Sequence, residues 1–219
     1  MSDGHPKLPD EARRPAQAQR RTQAQRRTQA QRRAETRERV LEAATALVAR
    51  HGSRAASLAA VGEAAGYSRG IVNHHFGSKT RLLEALIRHT QQFDVPTGAA
   101  NGLARLTQFV ETYLGGLHDR MPRSEAFLKL WCESAAAEPT LAPLFAERDA
   151  AFRDLLAHYI RDGQADGSVR AGVEPDMVAL TIIGALRGTA MLAISTARDI
   201  AIADVSRETA KFVERSLAP

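Results

Sequence analysis

Between Ser57 and Phe76 lie two helix-sized stretches separated only by Gly66-Tyr67-Ser68. Neither stretch is long enough to persist as an isolated helix, so each must be held by packing against something larger. Leu58, Val61 and Ala65 share one face of the first, and Val72 and Phe76 share one face of the second. Ser57 and Ser68 stand where an N-cap hydroxyl is wanted. Gly66 can take the left-handed backbone that ends one helix and turns the chain into the next. Two short helices joined by a tight glycine turn form a helix-turn-helix, here expected at about residues 57–76.

The surroundings supply the missing packing. Val40, Leu41, Ala44, Leu47 and Val48 form a helical stripe that begins near Thr36 and stops at Gly52. After Gly77-Ser78, Leu82, Leu83, Leu86 and Ile87 mark a further helix starting at Lys79. Beyond Thr90 the helices lengthen: about 103–117, 124–137, 141–161 (stopped by the stretch Asp162 to Gly167), 175–192 and 204–217. No alternating strand pattern occurs, so the fold class expected is all-α. The domains read as a basic arm without regular structure over 1–35, a helix-turn-helix domain over 36–90, and a larger helical domain over 91–219.

Charge divides along the same boundaries. Residues 1–35 carry nine basic and four acidic side chains, residues 36–90 eight and four, and residues 91–219 thirteen and seventeen. The front of the chain therefore suits a polyanion and the back does not. A six-residue repeat fills the arm, Gln17 to Thr22, Gln23 to Thr28 and Gln29 to Ala34. Successive Arg pairs in it would rotate by about 240° on a helix and never form one face. The repeat is either a low-complexity expansion or a DNA-contacting arm, and sequence leaves both open.

Cys132 is the single cysteine, which excludes an internal disulfide and a multi-cysteine zinc site and fits a reducing compartment. No secretory signal is evident, and the most apolar stretch, Met177 to Ala193, is interrupted by Arg187 and two glycines. A cytoplasmic protein with no membrane span is expected. No zinc-protease, phosphate-loop or nucleophile-elbow pattern occurs, so neither an enzyme nor a cofactor is expected. His74 and His75 are neighbours pointing about 100° apart on a helix, which speaks against a metal site.

Residues 36–88 resemble the DNA-binding domain of the TetR family of regulators. Thr36 to Ala44 and Gly66 to Lys79 carry the resemblance. It implies a phosphate contact at Ser57 and base-edge contacts from Arg69, Gly70, Ile71 and His74. Ser68 would cap the recognition helix and leave its positive end facing phosphates. The resemblance also implies a phosphate contact at Lys79. Asn73 departs from the tyrosine common in the family; Asn can donate to a phosphate or pair with adenine. Ile71 could equally pack inside. The resemblance further implies a repressor that leaves a pseudo-palindromic operator when a small molecule binds the carboxyl-terminal domain. It implies a homodimer joined through the last two helices.

Gly184 and Gly188 would allow the close helix approach of a dimer bundle, or serve packing within one subunit. Phe109, Tyr113, Phe127, Leu130, Trp131 and Phe152 are the bulky candidates for an effector wall, and are equally suited to plain core. If they line a pocket, an apolar or aromatic effector fits better than a multiply charged one. Two rival readings remain: a protein that coats DNA without sequence preference, and a small helical enzyme.

Overall fold

The computed structural model describes residues 10–90, 97–136, 141–195 and 201–219, with side chains from residue 28 onward. Among the described residues the chain forms nine α-helices and one 3-10 turn, with no strand. They are α1 (Asp10–His51), α2 (Leu58–Ala65), α3 (Arg69–Phe76), α4 (Lys79–Thr90) and α5 (Gly102–Gly115). There follow α6 (Arg123–Ala135), α7 (Ala142–Asp166), α8 (Pro175–Ser195) and α9 (Ile202–Leu217). The 3-10 turn, Ser53–Ala55, joins α1 to α2.

Helices α2 and α4 pack on α1, and α3 crosses α2. Val40, Ala44, Val48, Val61, Val72, Leu82 and Leu86 are fully buried between them. The carboxyl-terminal half is built on α5, which packs against α7 and α9, with α8 laid along α7. Helix α6 lies on α1 and α4 on one side and on α7 and α8 on the other. The two halves thus share one continuous apolar core.

Three elements depart from sequence expectation. The first helix does not start near Thr36: it runs from Asp10 and includes the repeat, so residues 10–35 are helical and continuous with the packed part of α1. Ala, Gln and Arg are strong helix formers, and a packed helix downstream removes the cost of nucleation. Residues 1–9 of the expected arm lie outside the described residues.

Helix α7 does not stop at Arg161 but continues to Asp166 and ends on Gly167 at φ 79°. Gly163 lies inside that helix because the start of α5 crosses it there, not because the chain breaks. Helix α8, at 21 residues, is by length and composition alone apolar enough to cross a bilayer, contrary to expectation. It is laid along α7 with Arg187 at its middle buried, and 33% of its apolar window lies inside the subunit.

The α5–α7 crossing is the tightest point in this half. A Cβ on Gly102 would stand 2.2 Å from the amide nitrogen of Gly163 and 2.7 Å from the carbonyl of Tyr159. The free amides at the start of α5 are capped across the same joint. Gly102 N–H donates to Asp166 (2.8 Å), Leu103 N–H to Ser168 (3.2 Å) and Ala104 N–H to Asn101 (2.8 Å). Gly102→Ala should therefore force two backbones apart and cost about 2–3 kcal/mol, read as a lowered urea midpoint. A midpoint within error of wild type would refute this crossing.

Candidate nucleic-acid interface

Ser57 accepts a hydrogen bond from Ala60 N–H (3.1 Å) and Ser68 from Ile71 N–H (3.3 Å), so both serines cap their helices. Gly66 sits at φ 74°, ψ 26°, and a Cβ there would meet nothing, so its backbone and not its size is what the turn requires. Gly62 is the reverse. Its Cβ would lie 2.9 Å from the Tyr67 carbonyl and 3.3 Å from Arg69 N, where α3 crosses α2. Sequence reading passed over Gly62; a glycine inside an eight-residue helix was the available signal.

That crossing sets which face of α3 turns outward. Val72 is fully buried and Phe76 nearly so, while Arg69, Gly70, Asn73 and His74 are exposed. Ile71 is 40% exposed, so the inward alternative for it does not hold. Gly70 has no neighbour that its missing side chain would strike; Ser68 Oγ, at 3.6 Å, is in ordinary contact. Lys79 is half-exposed, and its ammonium reaches the Arg54 carbonyl at 3.4 Å.

Two basic residues that sequence reading did not single out flank the recognition helix from α1. The Arg37 guanidinium lies 4.8 Å from the centre of the Phe76 ring. The His75 imidazole is pushed below its usual pKa, chiefly by partial burial and then by the charge of Arg33, with His74 and Arg37 adding to it. Arg33 belongs to the last unit of the repeat, which therefore ends beside α3. No cluster of three metal-ligating side chains occurs among the described residues.

Helix α6 fixes this unit to the rest of the molecule at both of its ends. At its start, Arg123 pairs with Glu38 of α1 at 3.5 Å, and Glu38 also lies 3.8 Å from the buried His89 of α4. Burial, and secondly the Arg123 charge, hold His89 below its usual pKa, with Glu38 and Glu42 opposing. From the middle of α6, Lys129 donates to the carbonyls of Ala49 and Arg50 (3.1 Å to the latter), the orphan acceptors at the end of α1. Glu133 accepts from Ser53 N–H with both oxygens, at 3.1 and 3.2 Å. A Cβ on Gly52, which sits at φ 77°, would be 2.3 Å from the Glu133 carboxylate, so only glycine admits it.

The six effector candidates come together in the core. Leu130 is fully buried, Phe109, Tyr113, Phe127 and Phe152 are nearly so, and Trp131 is partly buried. Three of them, Phe127, Trp131 and Phe152, stand around Arg187, the charge that interrupts the apolar stretch of α8. Its guanidinium lies 4.9 Å from the Trp131 ring, 5.6 Å from Phe127 and 5.9 Å from Phe152. The two cavities described, of about 390 and 230 Å³, open elsewhere, against the α5–α6 turn and between α4 and α7.

The clamp on the end of α1 makes a distinct prediction. Glu133→Ala leaves the Ser53 amide without its acceptor, which costs about 1–3 kcal/mol at a buried site. Amide hydrogen exchange should accelerate about tenfold or more at the end of α1 and the start of α2, and not in α7 or α8. Equal acceleration everywhere would mean that the contact is merely global packing.

Residues 40–86 match the sequence profile described as bacterial regulatory proteins, tetR family. Residues 102–218 match that described as BetI-type transcriptional repressor, C-terminal. The HTH-type transcriptional regulator UidR of Escherichia coli (strain K12) is 24% identical over 168 residues, covering 74% of this chain and 83% of UidR. Among solved structures, a putative TetR-family transcriptional regulator from Rhodococcus sp. superposes with a TM-score of 0.73 at 23% identity. It covers 84% of this chain and 100% of that one. A putative transcriptional regulator from Saccharomonospora viridis, in complex with choline, gives 0.67 at 22% identity, over 85% and 99% of the two chains.

Proposed function

The chain belongs to the TetR family of DNA-binding transcriptional regulators, and from that premise we propose that it is a dimeric repressor released from a pseudo-palindromic operator by a small molecule. One observation carries the DNA-binding part of this reading: Val72 and Phe76 face inward on α3 while Arg69, Ile71, Asn73 and His74 face water. The helix begins at a capped serine with its positive end free, which suits a phosphate. Arg69, Asn73 and His74 read base edges, and Ile71 and Gly70 make close groove contacts. Ser57, Ser68 and Lys79 fix the register on phosphates, helped by the basic front of α1. The domain boundaries that follow are 36–90 for the DNA-binding unit, preceded by its basic extension, and 91–219 for the regulatory unit.

Arg69→Ala should leave the fold intact, because the side chain is exposed. It should relax discrimination at one base position by about 1–3 kcal/mol on fragments selected from random DNA. Unchanged affinity and preference would remove Arg69 from the reading face. A protein that merely coats DNA would show no preference to lose.

A dimer is supported by α8 and α9. Met177 (65% exposed), Leu180, Leu192 and, on α9, Phe212 (62%) are large apolar side chains facing water in a single subunit. Gly184 and Gly188 lie on the same outward side of α8, and a Cβ on either would meet nothing within the subunit. A second α8 brought against this face would close on the two glycines. Gly188→Trp should therefore keep the helical content of the subunit while sedimentation changes from dimer to monomer and operator affinity falls. Sedimentation unchanged from wild type would place the interface elsewhere. A soluble regulator of this kind acts in the cytoplasm, on chromosomal DNA.

For release, the clamp from α6 to the end of α1 links the regulatory core to the element that carries α2 and α3. Phe127 and Trp131 on α6 face Arg187 in the core, while Lys129 and Glu133 of the same helix hold α1 and Ser53. An effector that favours a different seat for α6 would change the spacing of the two recognition helices. It does so only by its differential affinity for the two arrangements.

A further inference from the structure

Among the described residues Arg187 is the largest side chain that is fully enclosed, at 2% exposure. Its two terminal nitrogens form a fork on one carboxylate, Asp149 of α7, with Nη1 donating at 2.9 Å. The guanidinium lies close enough to Tyr113 to oppose the rise in its pKa that burial causes, and the Arg187 Nε has no hydrogen-bond partner. Trp131, Phe127 and Phe152 stand around it. Asp149, by contrast, is 36% exposed, so the fork faces solvent on the Asp149 side. Arg148 precedes Asp149 on α7, and burial together with the charges of Arg88 and Arg187 lowers its pKa.

We propose that Arg187 is the anchor of the effector site, that the effector is a monocarboxylate with an apolar or aromatic body, and that Asp149 occupies the carboxylate's place until it arrives. This rests on the reading of residues 91–219 as an effector-binding domain and names the class of ligand for it. The exchange is chemically even. A buried guanidinium stripped of its carboxylate is strongly destabilised, whereas one carboxylate replaced by another keeps both hydrogen bonds and the charge balance. The displaced Asp149 turns to water, where it already partly lies.

The rings around Arg187 then cover the ligand's apolar body, and the free Nε offers a further donor to it. A cationic ligand would meet Arg187's own positive charge. Because Phe127 and Trp131 sit on α6, a ligand body pressed against them acts on the helix that clamps the end of α1.

Trp131 is the only tryptophan in the sequence, so its emission reports this site in the full-length dimer. Phenylacetate, 4-phenylbutyrate and octanoate are titrated against it, with phenylacetamide as the neutral isostere and choline as the cation. At least one carboxylate should bind saturably and at least about tenfold better than phenylacetamide or choline. Asp149→Asn, which weakens the internal competitor, should tighten carboxylate binding by about tenfold. The pair Arg187→Met with Asp149→Leu, which removes both charges together and should remain folded, should abolish it. Failure of every carboxylate to outbind phenylacetamide in both wild type and Asp149→Asn would overturn the proposal, as would a preference for choline. Binding of ligand-free wild type to DNA selected from random fragments is measured alongside. If that binding is intact while carboxylates fail, only the ligand assignment falls; if it is absent, the regulator reading itself falls.

Discussion

The molecule depends on how the end of α1 is held. Three peptide groups there, the carbonyls of Ala49 and Arg50 and the amide of Ser53, have no partner in their own helix or turn and are met by Lys129 and Glu133 of α6. The two side chains are one helical turn apart, and their charges are opposite because the groups they meet are opposite: acceptors at a helix end, then a donor in the following turn. Gly52 makes room for the carboxylate with a backbone that other residues rarely adopt. Whatever α6 does is therefore transmitted directly to the segment from which α2 and α3 hang.

A second consequence concerns where charge is buried. The core of the regulatory half contains one full positive charge, Arg187, neutralised from the edge by Asp149. Such a pair contributes little net stability, since desolvation offsets most of the attraction. It does, however, leave a directional site inside an otherwise apolar region, and α6 borders it. The same helix thus touches Arg187 through Phe127 and Trp131 and the end of α1 through Lys129 and Glu133, side chains that alternate along less than two helical turns.

What was legible in the sequence was the local chemistry. The caps at Ser57 and Ser68 and the left-handed Gly66 depend on residues within four positions of one another, and the helices they bound have the limits read from sequence. The inward stripe of α3, Val72 and Phe76, followed from periodicity for the same reason, whereas its outward face came from the family resemblance and left Ile71 open. What escaped was contact at a distance. Gly62, Gly102 and Gly163 look like helix breakers or neutral small residues until another backbone is brought against them. Gly163 in particular ended a helix on paper and sits within one in the structure. Arg187 looked like an interruption because Asp149 lies 38 residues away and its rings come from other helices. The repeat was read as an arm because it has no apolar face, but helix formation needs no face when a packed helix is already there to extend.

The account is tested most directly by the distance between the two DNA-reading units of a dimer. A nitroxide on Cys at exposed Ala64 of α2, with Cys132 replaced by Ser, reports it by pulsed electron paramagnetic resonance. If the clamp holds each unit to its body, the free dimer should give one narrow distance distribution. Binding an operator should leave that distribution narrow, with the recognition helices about 34–36 Å apart in successive major grooves. A broad distribution in the free dimer that sharpens only on DNA would contradict the claim that α6 fixes the DNA-reading unit in place.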